Sequence, residues 1–351
     1  MRLALVGVGH INVTQHTPAL VRYARDVAPL TLSICDPDER RRAAWRDRFG
    51  DAPAFAHLDE LLAAARPDAA VVCVPPARTC EVATRLLREG VPVFTEKPPG
   101  LTPAETASLG DAAGDVPHAV AFNRRHAPPL RRLKGLVDDI PSPGARLVSC
   151  TFTRVARGDA DFGATAIHGL DALRFLGGDV ASLTATVDEC PGPPPHRDIT
   201  LHGRFASGAQ LSMTIFPVSG RAVERYTVVA DGVTLEAESG MPGTGEPASV
   251  RAWRRDAGPR APRVLDAKAL GITGPDDPDR AGFYRQLEVF LNALRDGGSP
   301  GVSFAASIQT VELMAFVRDC VDGATWRGAT SPSTPWPSGS TGQPPAVSRP
   351  S

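Results

Sequence analysis

A short apolar run with a glycine-rich exit restricts the fold of this chain more than any other feature. Residues 3–8 have the pattern of a buried strand, and a helical pattern follows from about residue 11 to residue 25. Glycines between such elements permit a tight turn and close backbone approach to a pyrophosphate, and the helix start offers free N–H groups. The pattern therefore predicts a dinucleotide-binding turn. Its expected residues are Gly7, Val8, Gly9, His10 and Ile11.

The first 123 residues alternate between strand and helix patterns. Further strand-like runs occupy residues 30–35, 69–74, 91–95 and 116–122, with helical segments between them. Such alternation predicts βαβ units around a parallel sheet, which places this part in the α/β class.

Asp36 follows the second predicted strand, 27 residues after Gly9. A carboxylate there can accept hydrogen bonds from ribose hydroxyls and repels a 2′-phosphate, so NAD is favoured over NADP. Two alternatives stay open. The arginines at 40–42 could receive that phosphate, and Asp36 could simply cap a helix that begins at Pro37.

The pattern changes after residue 125. Between residues 145 and 240 most segments alternate by two, with turns at Ser207-Gly208 and Asp231-Gly232, which predicts an antiparallel sheet. One helix is expected at 165–175, a loop-like region at 240–278, and two helices near 280–295 and 304–320. The predicted division is a dinucleotide-binding domain at 1–123, an α+β domain at 124–327, and a disordered Pro- and Ser-rich tail at 328–351.

Composition excludes some functions. The net charge of −1, with arginines scattered among acids, does not favour nucleic-acid or membrane-surface partners. No apolar run approaches a membrane span, and the first residues do not read as a signal peptide. The six cysteines lack CxxC pairs and metal-ligand spacing, so we expect reduced thiols, a cytoplasmic location and no metal.

Lys97 lies in the sequence Phe-Thr-Glu-Lys-Pro and is one of only three lysines among 38 basic residues. In so arginine-rich a chain, a retained lysine suggests that a compact ammonium is needed at this position. The alternative is a chance surface lysine at the end of a strand.

Several segments together resemble the Gfo/Idh/MocA oxidoreductases. They are GVGHIN, ICDPDERRR, AAVVCVPPARTCEVATRLLREGVPVFTEKP, AFNRRHAPPL and IHGLDALRFLGG. The resemblance implies a Rossmann domain followed by a domain with a large open antiparallel sheet, through which subunits pair as homodimers or homotetramers. It also implies that Lys97 and His168 are catalytic. The family's usual aspartate four residues before that histidine is here Ala164.

The residue types suit alcohol–ketone chemistry. His168 can exchange a proton near neutral pH, and Lys97 can stabilise a developing alkoxide. Asp171, which is expected among the substrate-binding residues, lies one helical turn after His168. It either orients the His168 ring or is a surface or domain-contact residue.

Other residues have weaker expected roles. Thr79 either contacts the cofactor or caps a helix, Asn123 and Arg124 are expected to bind substrate unless the arginine pairs with an acid, and Tyr284 either closes the pocket or packs in the core. The expected cofactor wall comprises Val74, Pro75, Pro76, Thr79, Glu96 and Lys97.

The predicted activity is NAD(P)-dependent interconversion of a secondary alcohol and a ketone. The expected substrate is a sugar, sugar nucleotide, cyclitol or related polyhydroxylated metabolite, and the Arg-rich composition suggests a GC-rich bacterium and specialised metabolism. Two alternatives remain open: a glycosidase that retains NAD, and a non-catalytic dinucleotide-binding regulator.

Overall fold

Two β-sheets organise this chain. A computed structural model describes residues 1–141, 144–157, 162–240, 247–257, 262–274 and 277–328. One sheet has six strands and the other has nine, and their strands come from separate halves of the sequence. This confirms the predicted α/β class, with a parallel sheet first and a mostly antiparallel sheet second.

The first sheet is fully parallel, with the strand order β3-β2-β1-β4-β5-β6. Its central strands are buried on both faces, which explains why they are almost continuously apolar. Alternate residues of β1 enter different cores: Leu3 and Leu5 pack on one side, Ala4 and Val6 on the other. The strands are β1 (Arg2–Val6), β2 (Thr31–Cys35), β3 (Ala54–Phe55), β4 (Ala69–Val72), β5 (Val93–Thr95) and β6 (His118–Val120).

Five α-helices connect these strands. They are α1 (Thr17–Asp26), α2 (Glu39–Phe49), α3 (Leu58–Ala65), α4 (Pro76–Arg88) and α5 (Pro103–Ala113). Thr102 caps α5 by accepting from Glu105 N, as its sequence pattern suggests. The side chain of Asp38 caps α2, so the alternative that Asp36 caps this helix is wrong.

The second sheet has the order β14-β13-β12-β11-β7-β10-β9-β8-β15. Neighbouring strands are antiparallel except for β7 and β10, which are parallel. Gly208 and Gly232 have φ of 88° and 68° in the two predicted hairpin turns. The strands are β7 (Ala145–Thr153), β8 (Val180–Cys190), β9 (His196–Phe205), β10 (Gln210–Phe216), β11 (Val223–Ala230), β12 (Val233–Glu238), β13 (Ser249–Arg254), β14 (Arg263–Leu265) and β15 (Thr325–Arg327).

The loop predicted for residues 240–278 is wrong in part, because β13 and β14 lie there. Pairing with the edge of the sheet stabilises these short strands. The sequence did not indicate them, because the residues around them are rich in Gly and Pro and the alternation of apolar and polar residues is weak. The remaining residues of the predicted tail, 329–351, lie outside the described residues.

Four further helices complete the fold: α6 (Pro128–Asp138), α7 (Gly163–Gly177), α8 (Phe283–Asp296) and α9 (Phe304–Asp319). Helix α7 packs so closely on the second sheet that a Cβ at Gly169 would lie 2.5 Å from Met213 Cε. Helix α8 returns to the first sheet, where Phe290 shares a core with Leu3. Among the described residues, no helix is long and apolar enough to cross a membrane.

Candidate active site

The glycine turn lies at the carboxyl end of β1. Gly7 has φ of 85°, and a Cβ there would lie 2.5 Å from the carbonyl oxygen of Cys73, so only glycine fits. Gly9 differs, since a Cβ there would meet no atom within 4 Å. The open space lies outside Gly9, where a pyrophosphate would approach the backbone in a dinucleotide-binding fold.

The first helix begins at His10 and contains a π-helical turn, Asn12–His16, before α1. Its first backbone N–H groups precede any intrahelical acceptor and carry positive partial charge. Asn12 stands at the third glycine position of the dinucleotide-binding pattern G-x-G-x-x-G that starts at Gly7. It is fully buried and accepts from Thr17 Oγ1 at 2.7 Å. Trp45 Nε1 in turn donates to Thr17 Oγ1 at 3.0 Å, so polar side chains join this helix to α2.

Asp36 stabilises the glycine turn through hydrogen bonds to the backbone. One of its carboxylate oxygens accepts from Val8 N and the other from Asp38 N, each at 3.0 Å, and the residue is 3% exposed. Its negative charge therefore lies next to the turn. Contact with a ribose remains a prediction.

Glu96 joins Lys97 to the first helix. Its Oε1 lies 2.7 Å from Nε2 of the buried His16, and its Oε2 accepts from the backbone N of Lys97 at 3.1 Å. Although burial opposes the charged form, the neighbouring Cys73 sulfur and the Glu96 carboxylate raise the pKa of His16 to about 10. Sequence reasoning missed His16, because nothing in the linear pattern indicates that it faces Glu96.

The side chain of Lys97 crosses from the first sheet to α7. Its Nζ donates to the carbonyl oxygen of Ala164 at 3.0 Å, and His168 lies one turn later on α7. Burial, followed by nearby arginines, lowers the pKa of Lys97, whereas Glu96 opposes that shift. Lys97 follows β5 of the first sheet and His168 lies on α7, which packs on the second sheet, so the two residues predicted to be catalytic are brought to neighbouring positions.

His168 is half-buried, and its Nδ1 has no hydrogen-bond partner among the described residues. Burial lowers its pKa well below the usual value, and the charges of Lys97, Arg124 and Arg154 lower it further. The imidazole is therefore neutral at pH 7 and can accept a proton.

Asp171 does not orient His168 through Nδ1. Its carboxylate instead accepts from Arg125 Nε at 2.7 Å and from Nη2 at 2.6 Å, and both side chains are buried. Of the two expectations for Asp171, the structural contact fits, because the pair joins the segment after β6 to α7.

Arg124 forms a buried pair with Glu224 of β11, at 2.6 Å and 2.9 Å. Arg154 bonds the same carboxylate. Although burial opposes ionisation, the two guanidinium groups lower the pKa of Glu224 to about 2. Arg154 and Glu224 were not singled out from the sequence, since only the register of the second sheet brings them next to Arg124.

The other predicted residues are placed as follows. Asn123 Nδ2 donates to Ala281 O at 2.8 Å, so this donor is already occupied. Thr79 lies inside α4 and is 1% exposed; because Pro75 is the N-cap, the capping alternative for Thr79 is wrong.

Tyr284 packs in the core and donates to Glu288 at 3.2 Å. Val74 and Pro76 border β4 at the same edge of the sheet as Gly7.

Comparison with known proteins agrees with this geometry. Residues 1–123 match the Gfo/Idh/MocA family, described as an oxidoreductase family with an NAD-binding Rossmann fold. D-glucoside 3-dehydrogenase of Escherichia coli (strain K12) is 27% identical over 126 residues, which are 36% of this chain and 35% of that protein. Inositol 2-dehydrogenase of Corynebacterium glutamicum (strain R) is 34% identical over 111 residues, 30% of this chain and 32% of that protein. The matched segment spans about a third of the length of both relatives.

Solved structures extend the similarity to the whole fold. The WlbA dehydrogenase from Bordetella pertussis, in complex with NADH and UDP-GlcNAcA, has a TM-score of 0.76 at 19% identity and covers 94% of this chain and 98% of its own. An oxidoreductase from Agrobacterium radiobacter, in complex with NAD+, L-tartaric acid and magnesium, has a TM-score of 0.75 at 19% identity and covers 93% and 98%. At such identity the similarity establishes the fold.

Proposed function

We propose that this chain, whose residues 1–123 match the NAD-binding Rossmann fold of the Gfo/Idh/MocA oxidoreductase family, is an enzyme that interconverts a secondary alcohol and a ketone on a sugar, sugar nucleotide or cyclitol. The observation that carries this proposal is the meeting of Lys97 and α7. Lys97 Nζ bonds Ala164 O at 3.0 Å, one turn before His168. In the proposal, the ammonium group of Lys97 and the neutral imidazole of His168 border the substrate next to the dinucleotide.

The dinucleotide and three side chains have separate roles in the proposed reaction. The dinucleotide, when bound, supplies hydride transfer. His168 accepts the hydroxyl proton, because its lowered pKa keeps the ring neutral. Lys97 stabilises the negative charge that develops on the same oxygen. Glu96 holds the lysine backbone through its 3.1 Å bond to Lys97 N.

The turn fits a dinucleotide, since the space above Gly9 is open and the helix N–H groups face it. NAD is the proposed cofactor, because the carboxylate of Asp36 lies 3.0 Å from Val8 N and disfavours a second phosphate nearby. The names of the curated relatives, a glucoside dehydrogenase and inositol dehydrogenases, support a polyhydroxylated ring as substrate. A cytoplasmic location and pairing of subunits through the second sheet remain part of the proposal.

The substitution Lys97→Met tests the proposed roles. We expect turnover of NAD+ with a panel of sugars and cyclitols to fall by about a hundredfold or more, since the oxyanion loses its charge partner. The affinity of Lys97→Met for NADH, measured by NADH fluorescence, should change little.

The wild-type protein should bind NADPH more weakly than NADH.

Lys134→Met is the matched control, because Lys134 pairs with Asp138 on α6 away from the site. A Lys97→Met enzyme with near-normal turnover would refute the role of Lys97. Failure of the wild-type protein to bind either dinucleotide would refute the proposed function.

A further inference from the structure

The hairpin of β8 and β9 brings together three side chains that can ligate a metal ion. Cys190, His196 and Asp198 each offer one ligand atom, and these atoms all lie within 4.8 Å of one another. In the antiparallel register Cys190 is opposite His196, and Asp198 follows two residues later on the same face. The linear spacing Cys-x5-His-x-Asp had indicated no metal, but strand pairing makes these residues neighbours.

The imidazole of His196 is oriented for ligation. Its Nδ1 lies 3.0 Å from the carbonyl oxygen of Pro194, which can only accept, so Nδ1 carries the proton. Nε2 then has the free lone pair, and it lies 3.8 Å from Asp198 Oδ1. This arrangement, in which the second ring nitrogen donates to a backbone carbonyl, is typical of metal-binding histidines.

Asp198 supplies a second observation that points to a cation. Its Oδ1 is buried and has no hydrogen-bond partner among the described residues. Its Oδ2 lies 3.8 Å from Cys190 Sγ. A buried acceptor without a donor is costly, and a bound cation between these atoms would remove that cost.

The hairpin around the three residues is held in place. Its connection, residues 191–195, contains four prolines, which restrict the backbone. On β9, Arg197 donates to three carbonyl oxygens at the end of α9, those of Val317, Arg318 and Cys320, at 2.6–3.1 Å. The hairpin is therefore fixed in position, and side-chain movement closes the ligands around an ion.

The ligand chemistry selects zinc. Thiolate, imidazole and carboxylate are the groups that bind Zn²⁺ with metal–ligand distances of about 2.0–2.3 Å, which separates ligand atoms by about 3.3–3.6 Å in a tetrahedron. The 3.8 Å separations of His196 Nε2 from Asp198 Oδ1 and of Cys190 Sγ from Asp198 Oδ2 need to shorten by a few tenths of an ångström. The separation of Cys190 Sγ from the ligand nitrogen of His196, which is at most 4.8 Å, needs to shorten by up to about 1.3 Å. A thiolate and a carboxylate together also neutralise the charge of the ion.

We propose that Cys190, His196 and Asp198 form a Zn²⁺ site with its fourth position open to solvent. Cys190 and His196 line a pocket of about 440 Å³, which Phe162 and Gly163 border at the start of α7. The open position therefore faces this pocket. The site lies on the second sheet and shares no residue with the dinucleotide turn.

Zinc binding to the purified full-length protein tests the proposal. After metal removal, Zn²⁺ is titrated against a chromophoric chelator, and Co²⁺ is added separately to record thiolate-to-metal charge transfer and the intensity of tetrahedral bands. We expect one ion per chain for the wild type. Cys190→Ser, His196→Gln and Asp198→Asn should each weaken zinc binding by at least about tenfold, and Cys190→Ser should abolish the charge-transfer band.

The chain offers matched controls. His118 is half-buried and makes the same contact as His196, with Nδ1 2.9 Å from Val116 O. Cys80 is a half-buried thiol on α4. His118→Gln and Cys80→Ser should leave zinc affinity unchanged.

Thermal unfolding of metal-free protein separates ligation from folding, because each ligand variant should unfold close to the wild-type temperature without zinc and gain less stability from added zinc. Wild type without stoichiometric zinc, or zinc affinity that the ligand variants leave unchanged, would overturn the site.

Discussion

At the scale of single residues, burial and neighbouring charges shift the pKa values of both His168 and Lys97. Burial and then the charge of Lys97 lower the pKa of His168, while burial and nearby arginines lower the pKa of Lys97. Glu96 lies next to Lys97 and partly offsets this effect. The arrangement keeps the imidazole neutral and the lysine backbone fixed.

The titration of His168 follows from this coupling. In wild type we expect its pKa, measured by NMR of ¹³C-labelled histidine, to lie below the usual value of about 6.5. In Lys97→Met it should rise, because one of the neighbouring cations is gone. Lys134→Met should leave the titration where it is in wild type; equal His168 titrations in wild type and Lys97→Met would show that the two groups do not interact.

At the scale of elements, the π-helical turn Asn12–His16 determines the directions in which the side chains of the first helix point. The turn places Thr17 N on the carbonyl oxygen of Asn12, five residues earlier, and Thr17 Oγ1 on the Asn12 side chain. The same turn aims His16 at Glu96. π-Helical turns are rare and occur often at functional sites. No residue pattern in the sequence predicts this one.

The glycine turn offers a paired test at the same scale. Gly7→Ala should destabilise the protein by about 1–3 kcal/mol, because the Cβ meets Cys73 O at 2.5 Å and φ is positive. Gly9→Ala should leave stability nearly unchanged but weaken NADH binding by about tenfold or more, since its methyl group fills the open space above the turn.

Denaturant unfolding and NADH fluorescence measure the two effects. If Gly9→Ala bound NADH as tightly as wild type, the pyrophosphate would not lie where we place it.

At the scale of the whole molecule, the segment that contains α8 and α9 contacts both sheets or the helices packed on them. The carbonyl oxygen of Val302, between α8 and α9, accepts from Val120 N at 2.8 Å in an isolated antiparallel bridge at the edge of the first sheet. Tyr23 Oη donates to Asn292 on α8 at 2.8 Å. Arg174 of α7 donates to Thr310 of α9 at 2.7 Å. The predicted domain limit at residue 123 is therefore crossed by contacts from the C-terminal helices.

Buried histidines give the whole fold a restricted pH range of stability. The pKa of His16 rises to about 10 on folding, so its contribution is complete below about pH 6.5 and is lost as the pH rises towards 10. Burial and then nearby arginines lower the pKa of His126 to about 3, so its neutral form favours folding above about pH 6.5, and stability is lost as the pH falls towards 3.

We therefore expect the unfolding temperature to be highest near pH 6.5–7 and to fall on both sides. His16→Gln should flatten the fall between pH 7 and 10 by about 4 °C or more, whereas a substitution of the exposed His202 should not. Differential scanning calorimetry across this range measures the effect. Parallel alkaline limbs for wild type and His16→Gln would contradict it.

The sequence alone determined most of the order of elements, the parallel-then-antiparallel division and the Gly7–Gly9 turn, because periodicity and special backbone positions are local properties. It also singled out Lys97, whose catalytic role stays a prediction. Tertiary structure alone decided which side chains meet. Asp171 pairs with Arg125, His16 faces Glu96, and Cys190 lies near His196 and Asp198. Strand register and helix packing set these contacts between residues far apart in the chain, and a one-residue shift in register would exchange the side chains that face each other.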